Sequence, residues 1–477
     1  MCISDQMIGI QANHDYSVTE SLELFKIPWE WYNPEHSYDV IIGNEEDFSE
    51  SILNFINLSE RNYFEEISRI LNEGLPHCKE PVVDILIDEL REKLKQYTLV
   101  IEIPPVPWGY DYTTCLTHDV DITSVRERRF ISVGYAIYQC LKEGLLNDAL
   151  KIFAAKFGIG KDPWNCFSEW MELEDQLEVR STFFFLPCKD KAGKKAPKIR
   201  AGGYDPDPVL ISELQEKGWE VGVHGIDNWI DFNSGITELN RISPGDKRPV
   251  GNRVHWLLFE KNSWKLLDDA HYDYDSTIGY NEDIGFGAGT LQIFKPENTK
   301  NLLELPLHIQ DVALFDSFCW IPMENDWKRV QCLHLTEDEA KERCSEIFSH
   351  AKKYGGVVTL LWHHERLAIP HSARMFYKDL IQDSMKKGAW PARAQDCVEW
   401  FRNRRKIRLY YIKRDSEIEI IIDNLDKNEY LPLYRVRVHI KPDNIDYVNC
   451  EYVAGDDYID IRCDKKNIIV REKLQEN

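Results

Sequence analysis

Close cysteine pairs, long apolar runs and a surplus of basic charge are all missing from this chain of 477 residues. Its twelve cysteines stand singly, as at Cys115, Cys140, Cys166, Cys319 and Cys344. A zinc knuckle draws its thiolates from closely spaced pairs, and none occurs. Isolated cysteines read instead as buried, reduced thiols of a cytoplasmic protein. No stretch approaches the roughly 18 apolar residues that a membrane-spanning helix needs. The opening MCISDQMIGIQANHDYSV lacks the basic-then-apolar order of a secretory signal. Acidic residues number 81 against 58 basic ones, for a formal net charge of -23. A field of that sign repels nucleic acid and anionic surfaces at long range, and no extended basic helix or ribbon counters it. Internal repeats and low-complexity tracts are absent too.

What remains is an ordinary globular composition, 43% hydrophobic and 29% charged, in a chain long enough for two or three domains. Residues 1–100 form a leading α/β segment, with a strand at YDVIIG and helices at SRILNEG and VVDILIDELREKLKQY. Pro104, Pro105 and Pro107 then stiffen the start of a body spanning 101–410. Strand candidates there are YTTCLT (112–117), VRSTFFFLP (179–187), WEVGVH (219–224), RVHWLLF (253–259), YDST (274–277), LLELPLHI (302–309) and GVVTLLWH (356–363). Helical stretches alternate with them: one ends at Gly218, one opens on the capping-box pair Thr336 and Glu339, and one starts near Pro391. Continuously apolar strands such as TFFFLP suit a parallel sheet covered on both faces. Strand–helix alternation fits a barrel or a doubly wound sheet, and both put ligand chemistry at the carboxyl ends of strands. Residues 411–477 alternate with a period of two and read as a small antiparallel β domain.

The ionisable residues gather at those strand ends. TTCLTHDVDIT carries Asp119 and Asp121 on one face of a continuing strand and His118 on the other. Two close carboxylates can divide the work, one binding a cation and one taking a proton from water. VGVHGIDNW ends a strand at His224, where Gly225 permits an unusual turn. Asp227 or Asn228 can then face the same point. TLLWHHE offers His363 and His364, of which only one readily points inward; a histidine there suits protonation of a leaving group. Arg253 could hold an anionic group or orient a carboxylate. The basic excursion CKDKAGKKAPKIRAGG (188–203), with Lys189, Lys191, Lys194, Lys195, Lys198 and Arg200, reads as a solvated loop or as a lid for an anionic substrate. STIGYNEDIGFGAGT (276–290) reads as a rim loop; it lacks the Gly-Lys-Ser/Thr ending of a phosphate loop. Aromatics such as Trp108, Tyr110, Trp229, Trp256, Tyr280, Phe286, Trp320 and Trp362 could stack on sugar rings or simply pack.

In order, THDVD, STFFFLP, EVGVHG, GNRVHWL, YDYDST and VTLLWHHE resemble the polysaccharide deacetylase (NodB-like) family over most of 108–410. The resemblance implies a distorted (β/α)7 barrel and hydrolysis of acyl groups, N-acetyl foremost, on a carbohydrate or glycan precursor. It implies Asp119 as general base, Asp121 and His224 as ligands of a divalent metal such as Zn, Arg253 as the orienter of the base and His363 as general acid. Two departures stand out. A valine separates the two aspartates, and Asn228 stands where the family has its second histidine, leaving Asp227, Asn228 or His118 as the third ligand. That second departure keeps a catalytically weakened carbohydrate-binding or polysaccharide-assembly protein as an alternative, beside a non-sugar amide hydrolase. Glycoside hydrolysis by Asp119 and another carboxylate would leave the histidines unexplained.

Overall fold

The computed structural model describes residues 8–13, 15–44, 54–128, 130–142, 144–195, 203–245, 249–322, 327–367, 371–425 and 428–473. The chain opens with four short parallel strands, β1 (Ile8–Gln11), β2 (Trp29–Trp31), β3 (Val40–Gly43) and β4 (Phe55–Asn57), in the order β2-β1-β3-β4. Helices Tyr63–Glu73 and Val82–Leu94 follow, each amphipathic with its apolar side buried. Their Phe64, Ile70, Val83 and Leu86 share one core with Ile284, Phe286 and Leu291 of the body. The stretch 276–290, expected as a rim loop, is thus divided. Its first part lies beside Arg253 and Trp256, through Ser276 and Asn281. Its second part is a buried strap whose Gly287 and Gly289 carbonyls accept from the Leu75 and Val83 N–H groups.

After β5 (Ile101–Glu102) the body is a curled, open half-barrel of nine parallel strands flanked by helices. They are β6 (Tyr112–Val120), β7 (Thr182–Phe185), β8 (Glu220–Gly225), β9 (Gly251–Val254), β10 (Tyr274–Asp275), β11 (Leu303–Glu304) and β12 (Ile309–Gln310), and, beyond an antiparallel ribbon of β13 (Phe318–Pro322) and β14 (Trp327–Gln331), β15 (Val357–Leu361) and β16 (Ala389–Ala392). The order is β11-β10-β9-β8-β7-β6-β15-β12, with β16 on the first half of β6 and β7 on its second half. The two end strands, β11 and β12, come from the single expected strand LLELPLHI. Pro306 between them has no N–H to continue a ladder. Likewise Pro391 lies in β16 rather than in a first helical turn, and the helix begins at Ala394.

Side-chain parity organises the barrel. Phe183 and Phe185 pack outward among the helices, whereas Phe184 joins Tyr274, Trp400 and Val436 in a second core below the sheet. Gly251 is there for space: a Cβ would lie 1.9 Å from the Tyr274 ring. That second core continues into the C-terminal region, which consists of β17 (Arg408–Arg414), β18 (Glu417–Asp423), β19 (Tyr434–Val438), β20 (Ile445–Val448), β21 (Tyr452–Ala454), β22 (Ile459–Cys463) and β23 (Asn467–Glu472). These form two antiparallel sheets, β17-β18-β23-β20 and β21-β22-β19-β5. The second recruits β5 from ahead of the barrel, with Glu102 opposite Arg437. Between β6 and β7 a helical hairpin, Phe130–Lys142 and Leu146–Lys156, stands on a small core of its own.

Candidate metal and acid–base site

The carboxyl ends of β6, β8, β9 and β15 converge on Asp119, Asp121, His224, His255 and His363. Because β6 stays extended through Val120, Asp119 faces the barrel interior and His118 faces away. His118 is a core residue: its Nδ1 lies 2.8 Å from the Trp362 carbonyl and its Nε2 3.0 Å from Glu174 Oε1, with the Trp170 ring 4.1 Å off.

Arg253 on β9 is completely buried and holds Asp119. Its Nη1 donates to Asp119 Oδ1 at 3.1 Å and to Thr117 Oγ1 at 2.8 Å. Its Nε donates to the Ser276 carbonyl at 3.0 Å and its Nη2 to Ser276 Oγ at 2.8 Å, and the guanidinium lies over the Phe184 ring. A planar fork with every arm engaged fixes the carboxylate's direction as well as its charge.

Asp121 Oδ1 lies 3.3 Å from His224 Nε2 and 3.5 Å from His255 Nε2, and the three ligand atoms fall within 4.8 Å of one another. His224 Nδ1 is taken by the Arg253 carbonyl at 2.8 Å, which turns Nε2 toward the cluster. Asp121 Oδ1 is buried without a properly directed hydrogen bond, as a ligand atom awaiting a cation would be. Burial works against charge on Asp121, but the two imidazoles outweigh it and hold the carboxyl well below its usual range. For His224 burial is likewise overcome, by Asp119 and Asp121, and its pKa rises. For His255 burial wins and the pKa falls, favouring the neutral imidazole that binds metals. One carboxylate and two imidazoles are a donor set that a divalent ion fits, zinc among several.

His255 occupies the place for which the sequence pointed to Asp227 or Asn228, and neither of those joins the cluster. Asp227 Oδ1 accepts from the Lys194 N–H at 2.7 Å, and its Oδ2 lies 3.1 Å from Lys191 Nζ. Asn228 donates to Asn252 Oδ1 at 2.6 Å and to the Tyr272 hydroxyl at 3.2 Å, in an amide chain that continues from Asn252 to Asp275. Its side chain lies so close over Gly225 that a Cβ there would meet Asn228 Oδ1 at 2.1 Å, so Gly225 supplies room rather than an unusual turn. His255 lay inside a string read as one strand. β9 in fact stops at Val254, and Trp256 and Leu257 take left-handed backbone (φ 64° and 51°), leaving His255 buried at the corner. Its two-residue offset from Arg253 was the available signal.

His363 Nε2 lies 3.9 Å from Asp121 Oδ2. Asp311, which the sequence did not single out, accepts from His363 Nδ1 at 2.7 Å and from its backbone N–H at 3.1 Å, and Arg366 braces it at 3.2 Å. Burial alone would lower the His363 pKa; Asp311 reverses this, with Asp121 and Glu365 adding, and pushes it up to about 10. His364 turns away and its Nε2 reaches the Trp164 carbonyl at 3.0 Å.

The lysine-rich loop is tied down where it is described: Lys191 also meets Glu238 and Lys194 meets Asp231. Lys198 and Arg200 lie outside the described residues, as does the side chain of Trp320. Of the other aromatics, Trp229, Phe286 and Trp362 are buried in the core; Trp108, Tyr110, Trp256 and Tyr280 are half-buried.

No protein-family model matches the chain, and no curated protein does. Among solved structures, a candidate polysaccharide deacetylase from Mycobacterium smegmatis aligns with 63% of this chain and 95% of its own, at 18% identity and a TM-score of 0.39. A candidate polysaccharide deacetylase involved in O-antigen biosynthesis from Bordetella bronchiseptica aligns with 61% of this chain and 84% of its own, at 15% identity and a TM-score of 0.28. Superpositions this loose say nothing about chemistry.

Proposed function

We propose that the chain is a metal-dependent hydrolase that removes an acyl group, N-acetyl in the simplest case, from a carbohydrate or glycan precursor, as a divergent member of the NodB-like deacetylases. The observation that carries this reading is the convergence of Asp121, His224 and His255 beside an arginine-held carboxylate and an aspartate-backed histidine. In this proposal Asp121, His224 and His255 hold the ion, which supplies Lewis acidity at the acyl carbonyl and acidifies water. Asp119, fixed by Arg253, receives the proton from the attacking water. His363, kept protonated by Asp311, delivers a proton to the departing amine nitrogen. The presence of His255 removes the main reason for reading the site as weakened, because the ligand missing at Asn228 is supplied from the corner just after β9.

The test is metal content of protein purified without chelator, followed by acetate release from N-acetylglucosamine oligomers. About one divalent ion per chain, lost in both His224→Ala and His255→Ala, together with metal-dependent acetate release, is the expected result. Failure to take up Zn, Mn, Fe, Co or Ni supplied in turn would refute the reading. Metal uptake with release only from non-sugar amides would move the substrate away from carbohydrate.

A further inference from the structure

The hairpin between β6 and β7 has two apolar faces, and among the described residues only one of them is covered. Val133, Cys140, Ala149, Ile152 and Ala155 pack inward on Ile122, Val125 and Trp164. On the opposite side Ile131, Tyr135 and Tyr138 recur at helical spacing along the first helix, and Leu150, Phe153 and Phe157 along the second. All six stand in solvent, Ile131 being 87% exposed and Phe157 58%. Half of the exposed large hydrophobic side chains among the described residues fall between 130 and 159. A monomeric soluble protein scatters such residues singly; a contiguous patch marks an interaction surface.

The charge around the patch reverses that of the molecule. Residues 126–161 contain seven basic and three acidic residues in a chain whose net charge is -23. Arg126, Arg128, Lys142, Lys151 and Lys161 are exposed at its edges, and Lys156 lies over the Phe130 ring at 4.8 Å. Of the acids, Glu127 accepts from Thr123 and Asp148 is paired with Lys151. Basic residues rimming a helix face of aromatic and aliphatic side chains are the composition of a helix that lies in a membrane interface. A two-fold pairing of two copies through the same patch would set basic rim against basic rim.

The patch is also coupled to the site. The connection from β6 to the hairpin begins at Asp121, nine residues before the first helix starts at Phe130. Arg128 reaches Glu365 at 4.0 Å, two residues beyond His363, and Trp164 at the hairpin's base accepts from His364.

We propose that this hairpin is a membrane-docking surface that seats the chain on an anionic lipid bilayer with the mouth of the barrel close to the headgroups. Its apolar face enters the headgroup–acyl boundary and its basic rim meets acidic headgroups. The remaining acidic surface is held off, which orients the molecule. At the salt of a cell, charges more than about 10 Å away are screened, so the local rim rather than the net charge governs the final approach. Docking is independent of the deacylase reading, since it is measured without substrate or metal.

The experiment is co-sedimentation of the full chain with phosphatidylcholine vesicles, either plain or carrying about 30% phosphatidylglycerol as the anionic lipid. We expect binding to the anionic vesicles, weakened roughly fivefold for each basic charge removed, hence roughly 30-fold for each reversal at Lys142→Glu and Lys151→Glu, and further by added salt. Leu150→Glu with Phe153→Glu abolishes it, whereas Val209→Glu, at an exposed apolar residue elsewhere, leaves it intact. Circular dichroism checks that each variant is folded. Absence of wild-type binding overturns the proposal. If light scattering then shows a dimer that Leu150→Glu with Phe153→Glu dissociates, the patch is covered by a second copy instead.

Discussion

Replacing Arg253 by methionine tests the centre of the site through stability alone. The guanidinium is fully buried, and its removal leaves Asp119, 2% exposed, without its cation. Breaking a buried ion pair from one side costs about 3–5 kcal/mol, because the remaining charge is stranded. The bonds to Thr117 Oγ1, Ser276 Oγ and the Ser276 carbonyl, each of order 1 kcal/mol, are lost with it, although such terms do not simply add. The expected loss is therefore about 4 kcal/mol, nearly a thousandfold in the unfolding constant. Methionine fills much of the same volume, so little of that is cavity. In Asp119→Asn with Arg253→Met no charge is stranded, and about 2–3 kcal/mol should return as a coupling energy. Urea denaturation of the wild type, both single variants and the double variant, followed by circular dichroism and by tryptophan fluorescence, gives the cycle where the two probes coincide. A coupling below about 0.5 kcal/mol would mean that Arg253 and Asp119 are not paired in solution, and the orienting role would fall.

Three further outcomes are expected. His255→Ala should weaken metal binding by more than the roughly 10–100-fold typical of a supporting residue, while Asn228→Ala leaves it within that range; calorimetric titration separates them. Asp311→Asn removes the charge that raises the His363 pKa; the alkaline limb of the rate profile should move to lower pH, with kcat falling and KM nearly unchanged. His308 is buried between the Thr290 carbonyl and the Thr359 N–H, and burial lowers its pKa to about 4. Its contribution to stability is complete above about 6.5 and is lost as pH falls toward 4, because the unfolded chain takes up the proton first. His308→Gln, which can keep both hydrogen bonds, should flatten the difference in stability between pH 7 and pH 4.5; an unchanged slope would show that His308 is protonated in the fold.

Much of the barrel was legible because parallel strands buried on both faces must be apolar throughout, as TFFFLP and VVTLL are, while helices announce their ends with residues such as Thr336 and Gly218. The strand carrying Asp119 and Asp121 was legible by parity. What escaped notice depends on contacts between distant segments. Asp311 matters only because β12 lies beside β15, and local spacing carries no trace of that pairing. Asn228 faces the Asn252 amide rather than the cluster because Gly225 leaves room for it, a preference set across β8 and β9. The break after Val254, which delivers His255, comes from left-handed backbone at Trp256 and Leu257, the first a residue type that favours the very strand it interrupts. The free face of the hairpin was unread because its apolar spacing is that of any core helix; only the packing shows which side is left uncovered.

The pairing of β5 with β19 also sets a timetable. Glu102 leaves the ribosome about 335 residues before the arginine it will lie opposite, an interval of roughly 20–70 s at ordinary rates of synthesis. Throughout that time the Ile101–Glu102 edge has no strand to pair with, and Glu102 lacks the imidazole of His439 that later meets it at 2.8 Å. The barrel can be made and coil up in sequence, but the floor beneath it closes last, by a strand from its far end returning to one from before its beginning. Loss of the final fifty residues would therefore expose an apolar floor and an open strand edge together, and the truncated chain should collect in aggregates rather than persist as a smaller folded body.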